Sequence, residues 1–189
     1  MNELQAYIHN YFNIGVNDLE EVEKLFQITQ LTKDEFICRE NSKCDSLNFI
    51  ISGYVRIYKH ENGKEVTQWI SSPSEFVTDL SSLVFNTYSR WNIQTISDCK
   101  FYTISKSNYN KLNELLPAWQ VLEKQFIAKC FLILEDRVFS FLSLSTEERY
   151  NLLYESKKEL FNIVPLHYIA SMLGMTPETL SRIRKKQIS

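Results

Sequence analysis

The chain is short of glycine and histidine, its cysteines are scattered, and it has no long apolar run. Each scarcity removes a class of protein. Four glycines in 189 residues leave neither a Walker loop nor a GxGxxG, motifs in which bare backbone must approach phosphate closely. The three histidines, His9, His60 and His167, are too few and too dispersed for the clustered ligands of a metal-dependent cupin, and no Ser-His-Asp arrangement appears. No catalytic residue, metal site or cofactor is therefore expected. The four cysteines, Cys38, Cys44, Cys99 and Cys130, contain no CxxC pair of the zinc or iron–sulfur kind and read as structural thiols. No apolar stretch approaches the roughly 18 residues of a membrane helix, and MNELQAYIHN is polar where a secretory signal would be apolar. A soluble, cytoplasmic protein with no membrane partner is expected.

What is present is a hydrophobic share of 44%, enough for a real core, and an uneven charge. Residues 166–189 hold Arg182, Arg184, Lys185 and Lys186 against Glu178 alone. Removing them from the chain totals of 21 cations and 23 acids leaves 17 against 22. An acidic body with a small basic end avoids polyanions over most of its surface and meets phosphates at one place.

The pattern along the chain changes twice. Up to about Lys33 the apolar residues follow helical spacing (Leu4, Tyr7, Ile8 and Tyr11, then Leu19, Val22, Leu25 and Phe26), which predicts two short helices. From Glu35 to Ser105 short runs rich in Ile, Val, Phe, Tyr and Thr predict strands. In LNFIISGYVRIYKHENGKEVTQWI, Gly53 breaks the first run and Asn62-Gly63 suits a type I′ hairpin, whose central residues both need φ > 0. Further strands are predicted at Trp91–Ile96 and Lys100–Ile104. After Ser105 the helical period returns, and Pro117 opens a helix of about 25 residues that is apolar on more than one face. One face suits the chain's own roll and another a symmetric partner, with Leu122, Phe126, Cys130, Ile133 and Leu134 as the dimerisation residues. Ser145 followed by Glu148 is a capping box that starts the next helix.

The expected fold is α+β: an N-terminal double-stranded β-roll of jelly-roll type with its leading helices over residues 1–116, a long dimerisation helix over 117–143, and a C-terminal helix-turn-helix domain over 144–189. The last domain rests on IASMLGMTPETLSRIRKK. Ile169 and Leu173 form the inner face of a first helix, Ala170 is small where helices cross, and Gly174 makes the turn above Met175. Thr176 caps a second helix with Pro177 at its first position, and Leu180 and Ile183 face inward. The outer face of that helix carries Glu178, Ser181, Arg182 and Lys185, spaced i, i+3, i+4 and i+7. Such a face in a major groove reads bases: Arg bonds guanine, Glu accepts from cytosine, Ser serves either way. Arg184 and Lys186 are placed for phosphates. With Thr176 and Thr179 these make eight candidate contacts to double-stranded DNA. His167 reads as a surface or phosphate-adjacent residue.

Roll, long helix and helix-turn-helix in this order resemble the CRP/FNR family of bacterial transcription regulators. LNFIISGYVRIYKHENGKEVTQWI looks like that family's central hairpin and ETLSR, Glu178–Arg182, like its recognition-helix signature. Glu, Ser and Arg at these places are similar to the FNR branch, and VPLHYIASMLGMTPETLSRIRKK with the preceding EERY resembles family members from the Bacteroidetes. The resemblance implies a cyclic-nucleotide-binding-like roll, a homodimer on inverted repeats, TTGA-type half-sites, and RNA polymerase as a further partner. It also implies a switch in which a signal in the roll repacks the long helices near Glu135 and Asp136.

The effector segment SPSEFVTDLSSLVFNTYSRWNIQTI departs from the family. Cyclic-nucleotide binders hold phosphate with a Gly-Glu pair, backbone N–H groups and an Arg. Here Thr78 replaces the Gly, Asp79 shortens the Glu, and the Arg position falls on Ser89, with Arg90 one residue out of register and so on the other face of a strand. Cyclic AMP is not expected as effector, and the cysteine cluster of FNR-like iron–sulfur sensing is missing. The effector pocket is expected at Phe76, Thr78, Asp79, Leu80, Ser89, Arg90 and Trp91; the aromatics Phe76, Phe85, Tyr88, Trp91 and Trp69 could line an apolar pocket there, but such residues are more often simply core. Two other readings stand beside the switchable regulator: a DNA binder that needs no signal, and a small-molecule-binding module of this fold with weak or lost DNA binding.

Overall fold

A computed structural model describes residues 3–12, 16–117 and 119–188. Two helices lead, α1 (Glu3–Phe12) and α2 (Val16–Glu23). Eight strands follow: β1 (Phe26–Leu31), β2 (Phe36–Cys38), β3 (Ser46–Ser52), β4 (Val55–Glu61), β5 (Lys64–Ser71), β6 (Phe76–Val77), β7 (Asn92–Thr95) and β8 (Cys99–Ser105), with the short helix α3 (Leu80–Phe85) after β6. They form two four-stranded antiparallel sheets, ordered β1-β8-β3-β6 and β2-β7-β4-β5. The sheets are packed face to face and do not close into a barrel. The β4–β5 turn has φ 51° at Asn62 and 73° at Gly63, both positive as a type I′ hairpin requires.

The strands begin earlier than the sequence predicts. Leu25 and Phe26 fit a helical face, yet Phe26 opens β1. FQITQL pairs with β8 along all six residues, and Thr29 and Thr103 bond across the pair. Cross-strand pairing outweighs a helical repeat that has only one turn left to run. Periodicity does not mark α3 either, because its six residues are too few to show a helical repeat and its signals are local caps, Asp79 before it and the left-handed Asn86 after it.

The remaining elements are helical: α4 (Lys106–Leu115), α5 (Trp119–Ser143, 25 residues), α6 (Thr146–Ser156), α7 (Leu160–Ile163), α8 (Leu166–Met172) and α9 (Pro177–Ile188). Ser145 and Glu148 form the reciprocal capping box at the start of α6, and α5 is described from Trp119, past Pro117. Three buried clusters hold the molecule. One joins α1, α2, α4 and the start of α5 to the roll through Leu4, Ile8, Phe49, Leu112, Trp119 and Leu122. A second fills the space between the sheets with Ile50, Val55, Val77, Ile93 and Phe101, and takes in Cys38, Cys44 and Cys99. The third contains the inner faces of α6 to α9 and also Tyr54, Ile70 and Ile96 of the roll. The core of the C-terminal helices therefore continues into the β-sheet. No helix among the described residues is long and apolar enough to cross a membrane.

Candidate nucleic-acid interface and effector site

The two-helix unit at the C-terminus is built as its sequence demands. Ile169, Ala170 and Leu180 are fully buried and Leu173 and Ile183 nearly so. Gly174 turns the chain at φ 68°, and its Cα faces Phe141 so closely that an added Cβ would stand 2.8 Å from the ring. Thr176 Oγ1 accepts from Thr179 N at 3.2 Å, capping α9. Glu178, Ser181, Arg182 and Lys185 are exposed and, with Pro177, line one open concavity. The outer face expected from spacing is one continuous surface.

The other candidates on α9 are partly engaged. Lys186 Nζ donates to both oxygens of Glu147, at 3.0 and 3.1 Å. Arg184 is half-buried beside Tyr150, whose phenol is shifted upward by burial against a smaller opposing effect of Arg184. Thr176 and Thr179 are tied to each other by the cap. His167 is exposed on α8.

The effector segment holds an internal anion. Asp79 is buried, with 3% exposure, and its carboxylate accepts five hydrogen bonds. Oδ1 takes Ser81 N at 2.9 Å, Ser81 Oγ at 2.5 Å and Ser82 N at 3.1 Å, while Oδ2 takes Ser89 Oγ at 2.8 Å and Arg90 N at 2.9 Å. Burial works against this charge, but the donors from Ser81, Arg90, Ser82 and Ser89 outweigh it and hold the carboxyl below its usual range. These backbone N–H groups and the Ser89 hydroxyl are the kind of donors that bind a phosphate, and here a side chain of the chain itself satisfies them. The Arg90 side chain is exposed, so its backbone and not its guanidinium faces the anion.

Of the other expected pocket residues, Trp91 joins this network through its backbone, its N–H donating to Ser89 Oγ at 3.1 Å, while the remaining side chains do not converge. Thr78 donates to Ser46 O at 2.8 Å, and Leu80 is 36% exposed at the start of α3. Phe76 packs among Tyr7, Phe49 and Phe126, whereas Trp91 lies against the intersheet cluster. Phe85 and Tyr88 are exposed, and Trp69 stands at the far end of the roll beside Arg137 and Lys157. These aromatics do not form a single apolar pocket: Phe76 and Trp91 pack against two different core clusters, as the core reading has it, and Phe85 and Tyr88 stay exposed. Close to Asp79 lie two thiols. Cys38, buried with its Sγ 3.4 Å from Ser89 Oγ, is held above the usual thiol range by the neighbouring Cys44 and by burial, and the same neighbour pushes Cys44 down.

The dimerisation residues also divide. Leu122 is buried in the chain's own core, and Phe126 packs on that core against Phe76, so neither is available to a partner. Cys130 is half-buried, while Ile133 and Leu134 are exposed. The open apolar seam of α5 runs instead through Ile127, Phe131, Leu134 and Val138, alternating four and three residues apart as in a coiled coil. Spacing could not separate the two faces, because apolar residues recur on more than one side of the helix.

A contact that the sequence did not announce joins α8 to the edge strand β5. Thr67 N donates to Ser171 Oγ at 2.9 Å, so a helix side chain occupies a ladder position that an edge strand otherwise leaves to water. Above it Arg56, 1% exposed, lies between the rings of Tyr58 and Tyr168 at 4.0 and 3.8 Å, donates to Thr67 Oγ1 at 2.9 Å and pairs with Glu65 at 2.6 Å. Lys157 pairs with Glu75 across the same junction.

Comparison with known proteins agrees with this architecture. Residues 28–114 match the cyclic nucleotide-binding domain family, and no curated protein matches the sequence. Among solved structures, FixK2 from Bradyrhizobium japonicum is 20% identical, with a TM-score of 0.69 over 85% of this chain and 83% of that one. The c-di-GMP-responsive global regulator CLP from Xanthomonas campestris is 18% identical, with a TM-score of 0.68 over 92% and 91%. The catabolite activator protein of Thermus thermophilus is 19% identical, with a TM-score of 0.59 over 95% and 85%. Residues 28–114 are thus similar to the cyclic nucleotide-binding domain family, and the chain as a whole shares the fold of these three structures.

Proposed function

We propose that this chain is a homodimeric, sequence-specific DNA-binding transcription regulator of the CRP/FNR type, working in the cytoplasm with an effector other than cyclic AMP. The observation that carries it is the division of α9: Leu180 and Ile183 are sealed in the domain core while Glu178, Ser181, Arg182 and Lys185 form one open polar surface. A helix held this way offers base-reading groups at no cost in folding. The exposed seam of α5 supports the dimer, since a coiled coil through Ile127, Phe131, Leu134 and Val138 would bury it and set two reading helices about one DNA turn, roughly 34 Å, apart.

The Asp79 network favours a roll that needs no phosphate ligand. A cyclic nucleotide would have to displace a buried carboxylate from five donors and would meet its charge at the place where its own phosphate must sit. Cyclic AMP is accordingly not the effector.

The test is fluorescence anisotropy with a labelled duplex bearing two inverted TTGA half-sites, against a scrambled duplex, over a salt series and without ligand. Tight, selective binding is the expected result. Weak binding without selectivity and with a steep salt slope would leave the half-site or a missing signal to be found. No binding at any salt would favour a small-molecule-binding module of the same fold.

A further inference from the structure

A cleft of about 200 Å³ opens between β5 of the roll, the C-terminal part of α5, α6 and α8, and Asp79 is not among its lining residues. Trp69 and Ile70 of β5, Leu153 of α6 and Met172 of α8 form apolar walls. Two guanidiniums enter from one side. Arg137 Nη2 donates to Met172 O at 2.8 Å and lies 5.3 Å from the Trp69 ring and 5.4 Å from the Phe141 ring. Arg149 donates to Leu144 O at 2.9 Å and Leu173 O at 3.3 Å, and lies 4.7 Å from the Phe141 ring.

Both guanidiniums are thus aimed by carbonyls and ring faces. Among the described residues neither has a carboxylate within 4.0 Å. Burial pushes the Arg137 guanidinium below its usual range, a sign that its charge lacks compensation. Lys157, also on the cleft, is neutralised by Glu75, and Asp136 contributes one acid. Two unpaired cations and one acid leave about one positive charge beside an apolar wall.

We propose that this cleft binds a small hydrophobic carboxylate, an aryl or medium-chain acyl acid, with its carboxylate on Arg137 and Arg149 and its apolar body against Trp69. A monoanion matches the charge, and Arg takes a carboxylate with two parallel N–H donors. A nucleotide is too large and too polar for these walls. The cleft borders Asp136, Arg137 and Phe141 of α5 and Leu173 before the turn, so an occupant would touch α5 and the end of α8 together, with Phe141 also facing Gly174. Binding does not rest on the chain's action on DNA.

The experiment titrates the whole protein with octanoate and 3-phenylpropionate, and in parallel with octanol and octylammonium, following tryptophan fluorescence and thermal unfolding. Both acids should bind saturably and raise the melting temperature. Octanol should bind at least tenfold more weakly and octylammonium not at all. The fluorescence change should disappear in Trp69→Phe, which keeps Trp91 and Trp119, and octanoate affinity should fall at least tenfold in Arg149→Gln. Equal affinity for octanol and octanoate, no saturable binding by either acid, or a fluorescence change that survives Trp69→Phe would overturn the proposal. The comparison of acid with alcohol needs no variant and stands if a substitution unfolds the protein. Loss of DNA binding in the earlier anisotropy experiment would leave these titrations unaffected.

Discussion

Asp79 shows how one residue sets the chemistry of a site. Replacing it by Asn removes the charge and turns two oxygens that only accept into an oxygen and a donor, facing five donors. The expected cost at pH 7 is about 2–3 kcal/mol. The sign of the pH dependence follows from the lowered carboxyl. Its stabilisation is fully present above the unfolded value near ~3.9 and is lost as pH falls through the lower folded value. Urea unfolding from pH 7 to pH 2 should therefore show the two proteins converging at the acid end, and a constant gap would count against the assignment. At the other site, Arg182→Ala should weaken selective DNA binding by about 1–3 kcal/mol and relax the preference at one base pair. An effect equal on specific and scrambled duplexes would instead mark Arg182 as a phosphate contact.

Elements obey their neighbours as much as their own sequences, and α5 is the clearest case. Its 25 residues are apolar on several sides, yet Trp119, Leu122 and Phe126 of the first turns pack on the roll while Ile127, Phe131, Leu134 and Val138 are open. Phe131→Glu should therefore convert the proposed dimer to a folded monomer by light scattering, with far-ultraviolet circular dichroism retained. Binding to an inverted repeat should fall much more than binding to a single half-site. Leu122→Glu buries a charge in the intact core and should unfold the protein, at a cost above about 3 kcal/mol. Equal behaviour of the two variants would mean that the two faces are not distinct. The hairpin at Asn62-Gly63, the box at Ser145 and Glu148 and the turn at Gly174 were legible in sequence because each depends on residues within four positions of one another. The start of β1 was not, since its partner β8 lies more than seventy residues away.

At the scale of the whole molecule, the C-terminal helices are fastened to the roll and not merely strung after it. Arg56 is the central fastening, with its guanidinium between Tyr58 of the roll and Tyr168 of α8. Arg56→Leu should remove about 2–3 kcal/mol from two cation–π contacts and the bonds to Thr67 and Glu65. Calorimetry should then show the single unfolding transition broadening or splitting as roll and helices lose their coupling. Ser171→Ala is the milder probe of the same junction, costing about 1 kcal/mol for the Thr67 N–H left without its partner. A sharp, unshifted transition in both variants would show that the third buried cluster alone carries the coupling.

By itself the sequence determined the local matters: the succession of roll, long helix and paired C-terminal helices, the hairpin and capping signals, and the charged outer face of the last helix. Each depends on residue type and short spacing. The tertiary structure alone decided which apolar face of α5 stays open, where the aromatics of the effector segment go, that Asp79 fills its own anion site, and that two arginines meet at a cleft against β5. Those outcomes join residues up to about a hundred positions apart, from Thr67 to Ser171. Whether a side chain spends its charge or its apolar surface within the chain depends on what folds against it, a quantity that no periodicity records.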